Sequence, residues 1–206
     1  MTDLECAQAC ADSYDQTTSW WKLSEAQGVY VALRQVPSGC IVCFRGSVTA
    51  QDWFRDFEAL PVEHPTLGWC EGGFLAGMND VGAWVAGNLP EGQVSITGHS
   101  LGAARAMILA GLLTSAGHVL ERLVTFGCPK PGFEKLSGIL LKGAYPITCY
   151  RNGPDPVAEV PLTLPEFPYR KPVADMPLYV APADPRDPFA FHHMPLYLEG
   201  IKRLAA

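Results

Sequence analysis

The residues best suited to chemistry are Gly98-His99-Ser100-Leu101-Gly102, a G-x-S-x-G arrangement. A serine at this spacing occupies a sharp strand-to-helix turn that lifts its hydroxyl above the end of the strand. The flanking glycines are needed because side chains there would meet the neighbouring strand and helix. The bare pattern is a weak signal, and its setting strengthens it. QVSIT (93–97) reads as a strand before the turn, and LGAARAMILAGLLTSA (101–116) as a helix after it, apolar nearly all round and so expected to be buried. Ser100 is therefore a candidate nucleophile, against the plainer reading of a turn serine.

A serine hydroxyl needs a base, and the chain has five histidines. His64 and His118 fall in expected loops. His99 sits inside the turn and is expected to point away from its neighbour's chemistry. His192 and His193 follow the last expected strand, where a histidine can swing back over the sheet edge. Nucleophile elbows of this kind run Ser, acid, His along the chain. The best-placed acid is Asp155, in the turn Asn152-Gly153-Pro154-Asp155-Pro156 directly after the strand ITCYRN (147–152). A turn-forming aspartate is its plainer reading. Asp175, Asp184 and Asp187 lie in proline-rich chain with no strand directly before them. An oxyanion site requires two N–H donors. Leu101, after the nucleophile, supplies one. Ser47, closing the run Phe44-Arg45-Gly46-Ser47 after the strand CIVCF, is placed to supply the other, or else to cap a helix starting near Thr49.

The elements that position these residues alternate. A helix is expected over 3–22, strands over 28–36 and 39–46 joined by Pro37-Ser38-Gly39, and a short helix over 49–60. A helix over 74–88, the strand–helix pair around Ser100 and a strand over 122–127 follow. Then come a helix near 133–141, the strand 147–152, a strand near 177–181 and a closing helix over 192–204. The alternation predicts a mainly parallel sheet covered on both faces, with no linker and one domain over 1–206.

Six segments, in this order, resemble the class 3 lipases, the fungal-type triacylglycerol lipases and their plant and bacterial relatives. They are CFRGSVTAQDWFRDF, GGFLAGMNDV, ITGHSLGAA, VTFGCPKPG, YRNGPDPVAEVP and HHMPLYLEGI. The resemblance implies an α/β-hydrolase fold, with a mainly parallel central sheet and helices on both faces. It implies a serine carboxylic-ester hydrolase of the lipase type, acting on acylglycerol or related lipid esters through an acyl-enzyme. It implies Ser100 as nucleophile, Asp155 as acid, and Ser47 and Leu101 as oxyanion donors. Spacing to Met194 and Tyr197 favours His192 over His193 as base. A lipase-like binding module, or an acyltransferase or thioesterase using the same residues, are the alternatives. Two positions depart from the family pattern: Glu71, where a histidine is frequent, and Arg105, in a helix where small or apolar residues are usual. The resemblance also makes TAQDWFRDFEAL, with Trp53, Phe54 and Phe57, either a lid making transient lipid-surface contact or part of the core.

Composition excludes other classes. The chain has 206 residues, 48% hydrophobic and 17% charged, enough to bury a substantial core. A net charge of -6, without a basic run, argues against nucleic acid. The longest apolar stretch, 106–113, is far short of a transmembrane span. The seven cysteines, an odd number, and an acidic first segment without a basic region point to reduced thiols and a cytoplasmic location. Cys40-x-x-Cys43 lies in an apolar strand and reads as buried structure rather than a redox or zinc pair. With no His, Asp or Glu cluster at ligand spacing, no metal or organic cofactor is expected.

Overall fold

The computed structural model describes residues 1–15, 17–47 and 60–206. Its centre is a seven-stranded sheet. The strands are β1 (Lys22–Ala26), β2 (Val29–Val36), β3 (Gly39–Phe44), β6 (Gln93–His99), β7 (Arg122–Phe126), β8 (Ile147–Asn152) and β9 (Asp175–Leu178), lying side by side in that order. The first two pairings are antiparallel and the remaining four parallel. A separate hairpin is formed by β4 (Pro61–His64) and β5 (Gly68–Glu71). The helices are α1 (Asp3–Asp12), α2 (Gly72–Leu75), α3 (Met78–Ala86), α4 (Leu101–Ser115), α5 (Glu134–Lys142) and α6 (Met194–Ala205).

Both faces of the sheet are covered, which is why β3 and β6 are buried along nearly their whole length. Cys40, Val42 and Phe44 face a core shared with α3, α4 and α5, whereas Ile41 and Cys43 face the core beneath α1 and α6. The period of two places Cys40 and Cys43 in opposite cores, so the two thiols of the C-x-x-C run cannot meet. Cys43 instead lies 3.9 Å from Cys10, and all seven cysteines are buried free thiols.

Parallel pairing aligns the carboxyl ends of the central strands. Phe44 is level with Gly98 and His99 with Phe126. The chain leaving β3, β6, β7 and β8 therefore emerges along one edge, where ligands bind in open α/β sheets. Ser47, Ser100 and Asp155 all lie just past these strand ends.

Several elements differ from the sequence expectations. The first helix stops at Asp12, where Ser13 turns its hydroxyl onto the Cys10 carbonyl (2.7 Å). The strand β1 that follows is an edge strand with little burial, so it leaves no apolar alternation to read. The hairpin β4–β5 is equally short. The helix expected over 74–88 is two helices, broken by Gly77 at φ 74. The strand expected near 177–181 is Asp175–Leu178. His192 belongs to a 3-10 turn, Pro188–His192, and His193 is the N-cap of α6, so neither lies within the closing helix. The helix and lid readings of 49–60, with Trp53, Phe54 and Phe57, fall outside the described residues except for Leu60. Among the described residues no helix is long and apolar enough to cross a membrane.

Candidate active site

Ser100 occupies the turn between β6 and α4 with φ 60 and ψ -132, a conformation that L residues adopt only when their surroundings enforce it. Two close approaches enforce it here. A Cβ on Gly98 would lie 2.3 Å from the Gly102 carbonyl oxygen, and one on Gly102 would lie 2.3 Å from that of Phe44. Both obstacles are backbone and cannot swing aside. Gly102→Ala is therefore expected to destabilise the fold by about 3 kcal/mol or more, read as a lowered urea midpoint. An unchanged midpoint would mean that the close approach of α4 to β3 is unnecessary.

Asp155 follows β8 and is fully buried. Its Oδ2 accepts a hydrogen bond from Nδ1 of His192 (2.7 Å) and another from the Tyr197 hydroxyl; its Oδ1 accepts from the Val157 amide (2.9 Å). Burial pushes this carboxyl's pKa up, but the His192 charge and the three donors outweigh it and hold it below the ordinary carboxylate value. Because a carboxylate only accepts, the His192 proton sits on Nδ1 and its Nε2 presents a lone pair. That Nε2 and the Ser100 Oγ are both buried, and neither has a hydrogen-bond partner among the described residues. His193 is exposed and makes no such bond among the described residues.

The oxyanion candidates adjoin this line. A Cβ on Gly46 would lie 2.8 Å from Ser100 Cβ, so the backbone leading into Ser47 runs directly beside Ser100. Leu101 is the first residue of α4, where backbone N–H groups have no intrahelical acceptor. Two cavities meet at Ser47. One, of about 260 Å³, is walled by Tyr14, His99 and His192; the other, of about 330 Å³, by Leu101, Arg45 and Arg105. The structure thus pairs Asp155 with His192, sets Gly46, the neighbour of Ser47, beside Ser100, and starts α4 at Leu101. Among the described residues no group of three or more His, Cys, Asp or Glu is arranged to hold a metal ion.

Three residues at this site were not singled out as site residues from the sequence: Tyr14, His99 and Tyr197. His99 is engaged with Tyr14 and His192. Its ring stacks on that of His192 with centroids 4.6 Å apart. Its Nε2 donates to the His192 carbonyl (2.8 Å), which fixes the proton there, so Nδ1 accepts from the Tyr14 hydroxyl (2.7 Å). Tyr14 follows the end of α1, far from the turn in sequence, and no local signal links it to His99. Tyr197 lies five residues beyond His192, and that spacing was the only available hint.

Burial, with the neighbouring His192 adding to it, lowers the His99 pKa to about 3 from an ordinary 6.5. A base with a depressed folded value contributes stability that is complete above the unfolded value and is lost as pH falls. Unfolding free energy should therefore fall below pH 6.5, by up to about 1.4 kcal/mol per pH unit. Asp155 joins only below the ordinary carboxylate range, near pH 4. Urea titrations across this window should flatten in His99→Gln; an unaltered slope would assign the loss to other groups.

Glu71 is also explained. It is buried and N-caps α2, its Oε2 accepting from the Phe74 amide (2.7 Å). Burial raises its pKa against the opposing pull of the Gly73 and Phe74 amides and of Arg105.

The chain is similar to known proteins in sequence and in fold. A match to the lipase (class 3) family covers residues 41–164, including Ser47, Ser100, Leu101 and Asp155 but not His192. The chain is 34% identical over 135 residues to a Saccharomyces cerevisiae protein named "Putative lipase LIH1", covering 53% of this chain and 41% of that protein. It is 28% identical over 143 residues to the secreted mono- and diacylglycerol lipase 1 of Fusarium solani, covering 65% and 43%. The matched stretch thus spans less than half the length of these two relatives. The Rhizomucor miehei triacylglyceride lipase superposes with a TM-score of 0.68 over 86% of this chain and 77% of that one. At 21% identity that likeness is one of fold, the α/β-hydrolase fold. With the family match running over more than half of its length, the chain belongs to the class 3 lipase family.

Proposed function

We propose that this protein is a serine carboxylic-ester hydrolase of the lipase type, cleaving acylglycerols or related lipid esters. The observation that carries the reading is the buried Asp155–His192 pair, whose Nε2 is left without a hydrogen-bond partner among the described residues, as is the buried Ser100 hydroxyl in the turn after β6. Ser100 Oγ attacks the ester carbonyl as its proton passes to His192 Nε2. Asp155 stabilises the resulting imidazolium, and His99, kept neutral by its burial, stacks on it without adding a competing charge. The Leu101 and Ser47 N–H groups receive the oxyanion. The tetrahedral species collapses, His192 protonates the departing alcohol, and water repeats the sequence on the acyl-enzyme.

The segment carrying Trp53, Phe54 and Phe57, which begins just after Ser47, interleaves aromatic with charged residues, a composition that supports transient lipid-surface contact. Turnover of a short ester should then rise as its concentration passes the solubility limit; a smooth saturation curve through that limit removes the surface contact from the account. We read the chain as one domain, since α1 and α6, from its two ends, share one core against the sheet. The seven free thiols support a cytoplasmic location, whereas the Fusarium solani relative is named as secreted. Activity measured in separated cell and medium fractions decides between the two.

The test of the activity itself is hydrolysis of p-nitrophenyl esters from acetate to palmitate. Turnover is expected, with the chain-length profile separating lipase from small-ester esterase. A well-folded protein inert across the series would leave a binding module as the better reading.

A further inference from the structure

Arg105 stands in the interior of α4, where packing alone would favour an apolar side chain. It is 7% exposed. Its Nη1 donates to the Gly28 carbonyl (2.9 Å), and its Nε is buried without a partner among the described residues. No described carboxylate lies within ion-pair distance; Glu71 acts on it only from farther off. Burial lowers its pKa to about 10, which leaves it charged at neutral pH. A buried guanidinium so sparsely paired is costly, and such a cost calls for a use.

Its surroundings supply one. Arg105 lines the 330 Å³ cavity together with Arg45, Ser47 and Leu101. Arg45 lies over the Tyr30 ring at 4.1 Å and pairs, among the described residues, with Glu25 at 3.3 Å, a largely exposed carboxylate at the same cavity that an incoming anion displaces at little cost. Leu101 and Arg105 are four residues apart on one helix, so their Cβ atoms stand about 6 Å, one turn, apart, and both residues line this cavity together with Ser47. A group bound in the cavity therefore shares it with the two proposed oxyanion donors. Neutral acylglycerols offer nothing that a guanidinium fork prefers, whereas a carboxylate or phosphate matches it.

Building on the ester-hydrolase reading, we propose that this cavity is a specificity site for an acidic oxygen group, carboxylate or phosphate, borne by the ester substrate, with Arg105 and Arg45 as its ligands. The substrate class is then an anionic ester, acidic either at the far end of a short acyl chain or on the alcohol.

Two matched pairs test the site: mono-p-nitrophenyl adipate against p-nitrophenyl hexanoate, and monobutyryl glycerol phosphate against monobutyrin. The acidic member of one pair is expected to have the higher kcat/KM, and Arg105→Met to cut that preference by about tenfold or more. The pair that responds distinguishes carboxylate from phosphate. Arg105→Lys retains charge and most of the bulk but loses the fork, and it should also lower the preference if Arg105→Met fails to fold. Calorimetric titration of the Ser100→Ala protein with glutarate and with methyl phosphate provides a readout independent of turnover. Binding of either, lost in Ser100→Ala/Arg105→Lys, supports the site even if no ester is cleaved, in which case the hydrolase reading alone fails. Cleavage of the neutral esters with no acidic preference and no anion binding overturns the site and leaves the hydrolase reading standing.

Discussion

Ester hydrolysis falls by on the order of 10⁶ in kcat when Ser100 is replaced by alanine, the loss expected when the nucleophile of such a triad is removed. The protein remains folded. The Ser100 hydroxyl has no hydrogen-bond partner among the described residues, so its removal breaks no native bond. Alanine keeps the same Cβ in the same φ 60 turn, so the backbone strain is unaltered. A thermal midpoint at or above that of the wild type should accompany the loss of turnover. Retained turnover would place the nucleophile elsewhere; a collapsed midpoint would make Ser100 a structural residue.

The second large effect is Asp155→Asn, with kcat lowered by about 10⁴ and little change in shape. The hydrogen bonds show why an isosteric change is so damaging. The Val157 amide needs an acceptor and holds the amide oxygen on its own side. The new NH₂ then faces His192 Nδ1 and donates to it, which drives the histidine's proton onto Nε2, where the lone pair is needed. The same NH₂ opposes the Tyr197 hydroxyl, which has to turn from donor to acceptor. Steady-state kinetics on a soluble ester measures the loss. A drop of tenfold or less would mean that Asp155 does not set the tautomer.

Much of this arrangement was legible in the sequence because it is local. The elbow is spelled by five consecutive residues between a β-branched strand and an apolar helix, and Asp155 follows its strand by three residues. A strand buried on both faces left a continuous apolar run in CIVCF, whereas QVSIT alternates Val94 and Ile96 with the equally buried hydroxyls of Ser95 and Thr97. What escaped was held by tertiary contact or by exposed edges. The strand β1 packs on one neighbour only and carries Lys22, Ser24 and Glu25, residues that read as loop. The brace Tyr14–His99–His192 joins three distant segments, and only folding reveals that His99 supports His192. Arg105 and Glu71 were visible as departures from the family pattern, but their surroundings were not. Glu71 is an amide-bonded helix cap, whereas Arg105 opens on a cavity that Ser47 and Leu101 also line.

Covalent labelling tests the central claim most directly. The folded protein is treated with an alkyl fluorophosphonate and the adduct mapped by intact mass and peptide analysis. One adduct is expected, on Ser100, lost in Ser100→Ala and strongly slowed in His192→Ala, because the hydroxyl reacts only when His192 takes its proton. A folded wild-type protein that stays unlabelled, or labels elsewhere, contradicts it.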